Sequence, residues 1–140
     1  MLEQFSLGKS SQLNARQQKL LLGFEILNRA EQRLEILQKL QIELAEKEAS
    51  VKTRLTQIEQ ESKPENIDRS IAFVGTTKSD EMRESRQRIF EFERNSLQSL
   101  LSQVQRNLAQ TTNELRTAEL LVQNLRKKIL PQIEMEIADL

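Results

Sequence analysis

Apolar residues recur with a 4-3-4-3 spacing over the second half of the chain, from Phe90 to Ile129. A seven-residue repeat of this length is typical of the seam of a supercoiled helix, because a straight isolated helix has no reason to keep a period of 3.5. The spacing therefore predicts one long helix that packs along a single stripe. The seam positions are Phe90, Leu97, Leu101, Val104, Leu108, Thr111, Leu115, Ala118, Val122, Leu125 and Ile129.

The first half of the chain carries a second, weaker seam. One core position is taken by Leu13, Leu20, Leu27, Leu34 and Leu55, and the other by Ala30, Leu37, Leu44, Val51 and Ile58. The pattern is interrupted at Arg16, Gly23, Gln41 and Glu48. Two seams with a short connection predict an all-α fold, a long antiparallel helical hairpin (coiled coil) that packs into a multi-helix bundle by self-association.

Turn and cap residues set the predicted boundaries of the first half. Residues 1–10 show no periodicity and are predicted to be a flexible N-terminus. The first helix should cover residues 11–62, with Ser10 or Ser11 as its cap. Pro64 ends it, since the residue before a proline is pushed out of the helical region. Residues 63–79, called the tip segment below, are predicted to connect the helices without helical structure.

The second helix is predicted to cover residues 80–130. Ser79 caps it, and Asp80 lies in its first turn, where acids are favoured by the helix dipole. Pro131 should end or kink this helix, which leaves residues 131–140 as a short helical extension.

A short connection also predicts the register of the antiparallel pair. It sets Leu20 near Val122 and brings Glu48 close to Arg94, both at interrupted core positions. A pair of this kind fixes register more than it adds stability.

Further apolar residues lie off both seams. A two-stranded coil needs one stripe, so the surplus predicts additional helices packing there, most simply a second copy that completes a four-helix bundle. Scattered surface residues are the alternative interpretation. The predicted self-association interface consists of Leu22, Phe24, Ile26, Ile36, Leu40, Leu100 and Leu121.

The tip segment contains an apolar run, in which Ile71, Phe73 and Val74 are the candidate residues. They either dock a partner or fold back to close the end of the coil. A short β-ladder over residues 71–74 is a third alternative. It would resemble, in architecture alone, the small hairpins that join the helices of prefoldin β subunits.

The composition of the chain excludes several classes of function. The chain has 21 basic and 21 acidic residues, interspersed, so it lacks the basic stripe of a nucleic-acid binder. It has no Cys and no His, which excludes disulfides, thiol chemistry and His-based acid/base catalysis. No stretch approaches the roughly 18 apolar residues of a membrane span, and no secretory signal is evident, which predicts a cytoplasmic protein without membrane or cofactor.

These observations predict a non-enzymatic interaction protein, a scaffold or adaptor that binds itself and at least one other protein. The alternative is a regulator or chaperone-like arm that inserts its tip into a motor, polymerase or client protein. Flagellar and secretion-ATPase stalk proteins and transcript-cleavage factors are similar in outline. An acidic, metal-holding apex would favour a cleavage factor, but Asp68 lies isolated beside Arg69.

Overall fold

The computed structural model of the chain describes residues 2–72 and 79–138, with side chains from residue 15 onward. The described chain is almost entirely helical, and its two long helices pack against each other. This confirms the all-α class and the pair of long helices, whereas supercoiling and self-association stay predictions. The helices are α1 (Leu2–Glu61), α2 (Pro64–Ala72) and α3 (Ser79–Ala138).

The chain divides into two compact units. Unit 1 consists of Met1–Lys39 and Thr112–Leu140, and unit 2 of Leu40–Thr111. In unit 1, two apolar clusters lie between α1 and α3. One comprises Leu27, Ala30, Val122 and Ile129, with Leu34, Leu125 and Ile133 packed against it, and the other comprises Leu37, Leu115 and Ala118.

Ion pairs show that α1 and α3 run antiparallel in unit 1. Arg16 bonds Glu136 at 2.9 Å, and Glu31, further along α1, bonds Arg126, which lies earlier in α3, at 3.0 Å. The buried residues of unit 2 are Val51, Ile58, Ile67, Ile71, Val104 and Thr111. Every described seam position is buried or half-buried, as the heptad spacing predicted, while the side chain of Leu13 lies outside the described residues.

The tip segment differs from the prediction because residues 64–72 form α2. Pro64 stands at the first helical position, where its missing N–H costs nothing and its fixed φ favours a helix. The amide of Ile67 donates to the carbonyl of Lys63 at 3.1 Å, which closes the first turn. Asn66 Nδ2 donates to the carbonyl of Gln60 at 2.6 Å and so caps the end of α1.

Both outer boundaries also differ from the prediction. α1 begins at Leu2 rather than at residue 11, and the segment before Ser10 contains good helix formers such as Glu3. α3 continues through Pro131 to Ala138 instead of ending there. Ile133 packs on the same cluster as Ile129, so side-chain burial on both sides of the proline offsets its missing hydrogen bond.

The register is shifted from the predicted one. Val122 belongs to the cluster of Leu27, about two turns further along α1 than Leu20. Glu48 bonds Lys52 of its own helix at 3.0 Å, and Arg94 donates to Ser62 at 3.2 Å, so the predicted Glu48–Arg94 pair is wrong. In unit 2, α2 contacts the first turns of α3, where the prediction had placed the end of α1.

Candidate protein-binding surface

Exposed apolar side chains are concentrated in unit 1. Among the described residues, unit 2 exposes four large apolar side chains, namely Leu40, Ile42, Ile89 and Phe92. The side chains of unit 1 that the structure describes include ten exposed large apolar ones, which are Leu21, Leu22, Phe24, Ile26, Ile36, Leu120, Leu121, Leu130, Met135 and Ile137. These ten residues are called the outer apolar surface below.

Part of this surface is a concave groove of about 440 Å³ between α1 and α3. Its lining residues stand three and four positions apart in each helix, so they share one face of that helix. The ion pair between Arg16 and Glu136 lies at one edge of the groove, beside its apolar lining. The lining of this end groove is Gln17, Leu20, Leu21, Phe24, Ile133, Glu136 and Ile137.

A second groove in unit 1, of about 260 Å³, has a different character. The two alanines in its lining, Ala30 and Ala118, are buried core residues whose short side chains leave room between the helices. Arg33 and Glu114 add one charge of each sign, and Leu121 supplies an exposed apolar wall. This middle groove is lined by Ala30, Arg33, Asn113, Glu114, Thr117, Ala118 and Leu121.

The predicted interface residues are not all alike in the structure. Those of unit 1 are exposed, with Leu22 at 58% and Ile36 at 65%. Leu40 is also exposed but belongs to unit 2, whereas Leu100 of unit 2 is half-buried. The exposed members in unit 1 are Leu22, Phe24, Ile26, Ile36 and Leu121.

Sequence reasoning missed the exposed pair Ile89 and Phe92 in unit 2 and Met135 in unit 1. Phe92 is 75% exposed. The sequence did indicate that this pair lies off the seam. Ile89 and Phe92 flank the seam residue Phe90 and stand three positions apart, on another face of α3. Met135 lies within residues 131–140, which were predicted to be a separate short helical extension.

Only part of the predicted tip site can be located. Ile71 lies in α2 and is 5% exposed, the burial that closure of the end requires. Ala72 is also helical, so residues 71 and 72 do not form the start of a β-ladder. Phe73 and Val74 lie outside the described residues.

A polar network joins α2 to α3. Arg83 bonds the Asp68 carboxylate at 2.8 Å, Arg86 donates to the Ser70 hydroxyl, and that hydroxyl donates to the carbonyl of Ile67 at 2.8 Å. Asp68 is therefore held by a guanidinium. In the described parts of the chain, no group of three or more acidic side chains is arranged to hold a metal ion.

The Arg54–Glu93 pair links α1 to α3 in unit 2. The guanidinium donates to both carboxylate oxygens, from Nε at 2.7 Å and from Nη2 at 3.1 Å, and Glu61 lies 3.6 Å from Nη1. The hydrogen bond from Arg54 lowers the pKa of Glu93 below its ordinary range, and the bond to Glu93 raises the pKa of Arg54. Both groups touch solvent, so the pair orients the helices more than it stabilises them.

Comparison of the chain with protein-family models, curated proteins and solved structures gives no match. Within residues 2–72 and 79–138, no helix is long and apolar enough to cross a bilayer.

Proposed function

We propose that this chain is a non-enzymatic interaction protein, a helical scaffold or adaptor in which unit 1 binds a second copy and at least one further protein. The supporting observation is the outer apolar surface, ten exposed large apolar side chains in one unit. Three of these side chains, Leu21, Phe24 and Ile137, line the end groove together, and exposed apolar patches of this kind mark interaction sites.

The chemistry of the surface suits a helical partner. Apolar side chains at helical spacing form a stripe, and a second amphipathic helix covers such a stripe by packing its own apolar face on it. Side chains such as Leu22 and Ile36 are about half exposed, so covering them contributes roughly 1 kcal/mol each. The end groove provides a concave floor that a large side chain of the partner can fill.

The absence of His and Cys from the sequence supports a role without catalysis, because the commonest acid/base and nucleophilic side chains are lacking. Interspersed charges of both signs supply a polar rim around the apolar surface. The mechanism is geometric. Covering the outer apolar surface joins copies, and the exposed side chains of α2, such as Glu65 and Arg69, are left for another protein.

The test replaces two exposed apolar residues of α1 in unit 1 by lysine, Ile26→Lys with Ile36→Lys, and measures mass by sedimentation velocity. The double variant is expected to become monomeric while circular dichroism stays strongly helical, because both side chains are exposed in the single chain. Phe92→Lys is the matched control, since Phe92 is exposed in unit 2 and should leave the mass unchanged. An unchanged oligomer in the double variant would place the contact elsewhere.

A further inference from the structure

Six exposed positions of α1 recur with a 4-3-4-3-4 spacing, which is the spacing of a second seam on a face that the core does not use. In order along the helix this outer stripe consists of Leu22, Ile26, Arg29, Arg33, Ile36 and Leu40. The residue types read the same in both directions: leucine, isoleucine, arginine, arginine, isoleucine, leucine. When two copies pack about a two-fold axis, a stripe that is unchanged on reversal pairs each residue with one of its own type.

We infer that the outer stripe binds the outer stripe of a second copy in antiparallel orientation. This inference rests on the proposed self-association and specifies its geometry. The two-fold axis passes at the level of Glu31. Ile26 then lies opposite Ile36 of the second copy, and Leu22 lies opposite Leu40, so each apolar residue meets an apolar residue.

The charges that flank the stripe select the antiparallel orientation. Glu25 and Lys39 lie on the same flank, one position before Ile26 and Leu40, and both are exposed; Lys39 also bonds Glu35 of its own helix at 3.6 Å. Antiparallel packing brings Glu25 of each copy to Lys39 of the other, which gives two ion pairs. In a parallel pair the flank of Glu25 would face Ala30 of the second copy, which carries no charge.

The pattern continues in the sequence beyond the stripe. At the next seam positions stand Lys19 before Leu22 and Glu43 after Leu40. The antiparallel register places Lys19 opposite Glu43 of the second copy, again with opposite charges. A parallel pair would instead place each of these residues beside its own equivalent, with like charges opposed.

The two arginines at the centre weaken the contact and set its register. Arg29 lies opposite Arg33 of the second copy, and long side chains of this kind carry their charged heads to the rim. Acids are near on that rim: Glu25 stands one turn before Arg29, and Glu114 lines the middle groove together with Arg33. If the two helices slid past each other by one seam position, an arginine of one copy would face an isoleucine of the other, and the apolar residues would no longer all face each other.

Distances between spin labels test the orientation directly. The chain has no cysteine, so one nitroxide can be attached after Gln32→Cys or Gln18→Cys, two exposed positions on the flank of Glu25. The antiparallel register predicts labels at residue 32 separated by roughly the 10 Å between packed helices plus the label arms. Labels at residue 18 should be about 40 Å apart at 1.5 Å per residue.

The measured distances distinguish a failure of the antiparallel register from a failure of self-association itself. Short distances at both positions would indicate parallel helices and overturn the antiparallel register, while self-association would stand. Distances that match neither arrangement would place the contact on another face. The absence of any distance between copies, with a monomeric mass, would overturn both proposals and leave another protein as the occupant of the stripe.

A charge exchange provides an independent test of the flanking pairs. Glu25→Lys and Lys39→Glu should each weaken the association constant by about 3- to 10-fold, because each converts two rim ion pairs into like-charge contacts. The combined variant Glu25→Lys/Lys39→Glu should restore it. Glu91→Lys, in unit 2, changes the net charge by the same amount and sign as Glu25→Lys and should have little effect on association. Equal weakening by all three single variants, without restoration, would overturn the pairing.

Discussion

Gly23 of α1 lies directly against Ile129 of α3, and a Cβ placed on Gly23 stands 3.5 Å from Cδ1 of Ile129. That separation is ordinary van der Waals contact, so the glycine is not required by lack of space. Its position within a helix costs backbone entropy relative to alanine.

Gly23→Ala is therefore expected to raise the free energy of unfolding by about 1 kcal/mol, measured by urea denaturation. The reverse exchange at a neighbouring core position, Ala30→Gly, should lower it by at least as much. A destabilised Gly23→Ala chain would mean that α1 and α3 approach more closely here than the structure shows.

Removing the carboxylate of Glu93 should change the pH dependence of stability. The pKa of Glu93 is lowered in the folded chain, so the ion pair stabilises it fully above the ordinary carboxyl pKa of about 4.3. That stabilisation is lost as the pH falls through the lower folded pKa, while Arg54 stays charged throughout. Glu93→Gln should thus be less stable than the parent near pH 7, with the difference vanishing in acid. Glu91→Gln, exposed two residues away, is the control, and a difference independent of pH would argue against the pair.

The heptad spacing predicted the long helices and the buried seam because burial of a stripe is a local consequence of helical period. It did not predict α2, since Pro64 was interpreted only as a helix end although proline also favours the first turn of a new helix. The predicted register also left out α2, which contacts the first turns of α3. The spacing of Ile89 and Phe92 placed both off the seam, but it did not reveal that this face of α3 remains uncovered.

The role of α2 can be tested at Ile71. This side chain is 5% exposed, so Ile71→Ala should lower the free energy of unfolding by about 2–5 kcal/mol through lost burial and a residual cavity. Arg69→Ala, at an exposed position of the same helix, should change it little. A melting transition unaffected by Ile71→Ala would contradict the closure of this end by α2 and favour a docking role for the tip segment.

Pro131 lies within α3, where it removes one backbone hydrogen bond. Pro131→Ala should stabilise the chain by up to about 3 kcal/mol and slow amide hydrogen exchange around residues 127–135. Gln132→Ala is the matched control at the next exposed position. Faster exchange in the Pro131→Ala chain would indicate that the proline sets a bend which the packing of Ile133 requires.

The central claim is that unit 1 joins copies of this chain, and the most direct measurement is the mass of the unmodified protein in solution. Sedimentation equilibrium should be recorded between about 10 and 100 μM, where an association of about 5.5–7 kcal/mol is half-formed. The account predicts a mass that rises with concentration toward a multiple of the 16.3 kDa monomer. A mass that stays at 16.3 kDa over the whole range would contradict it.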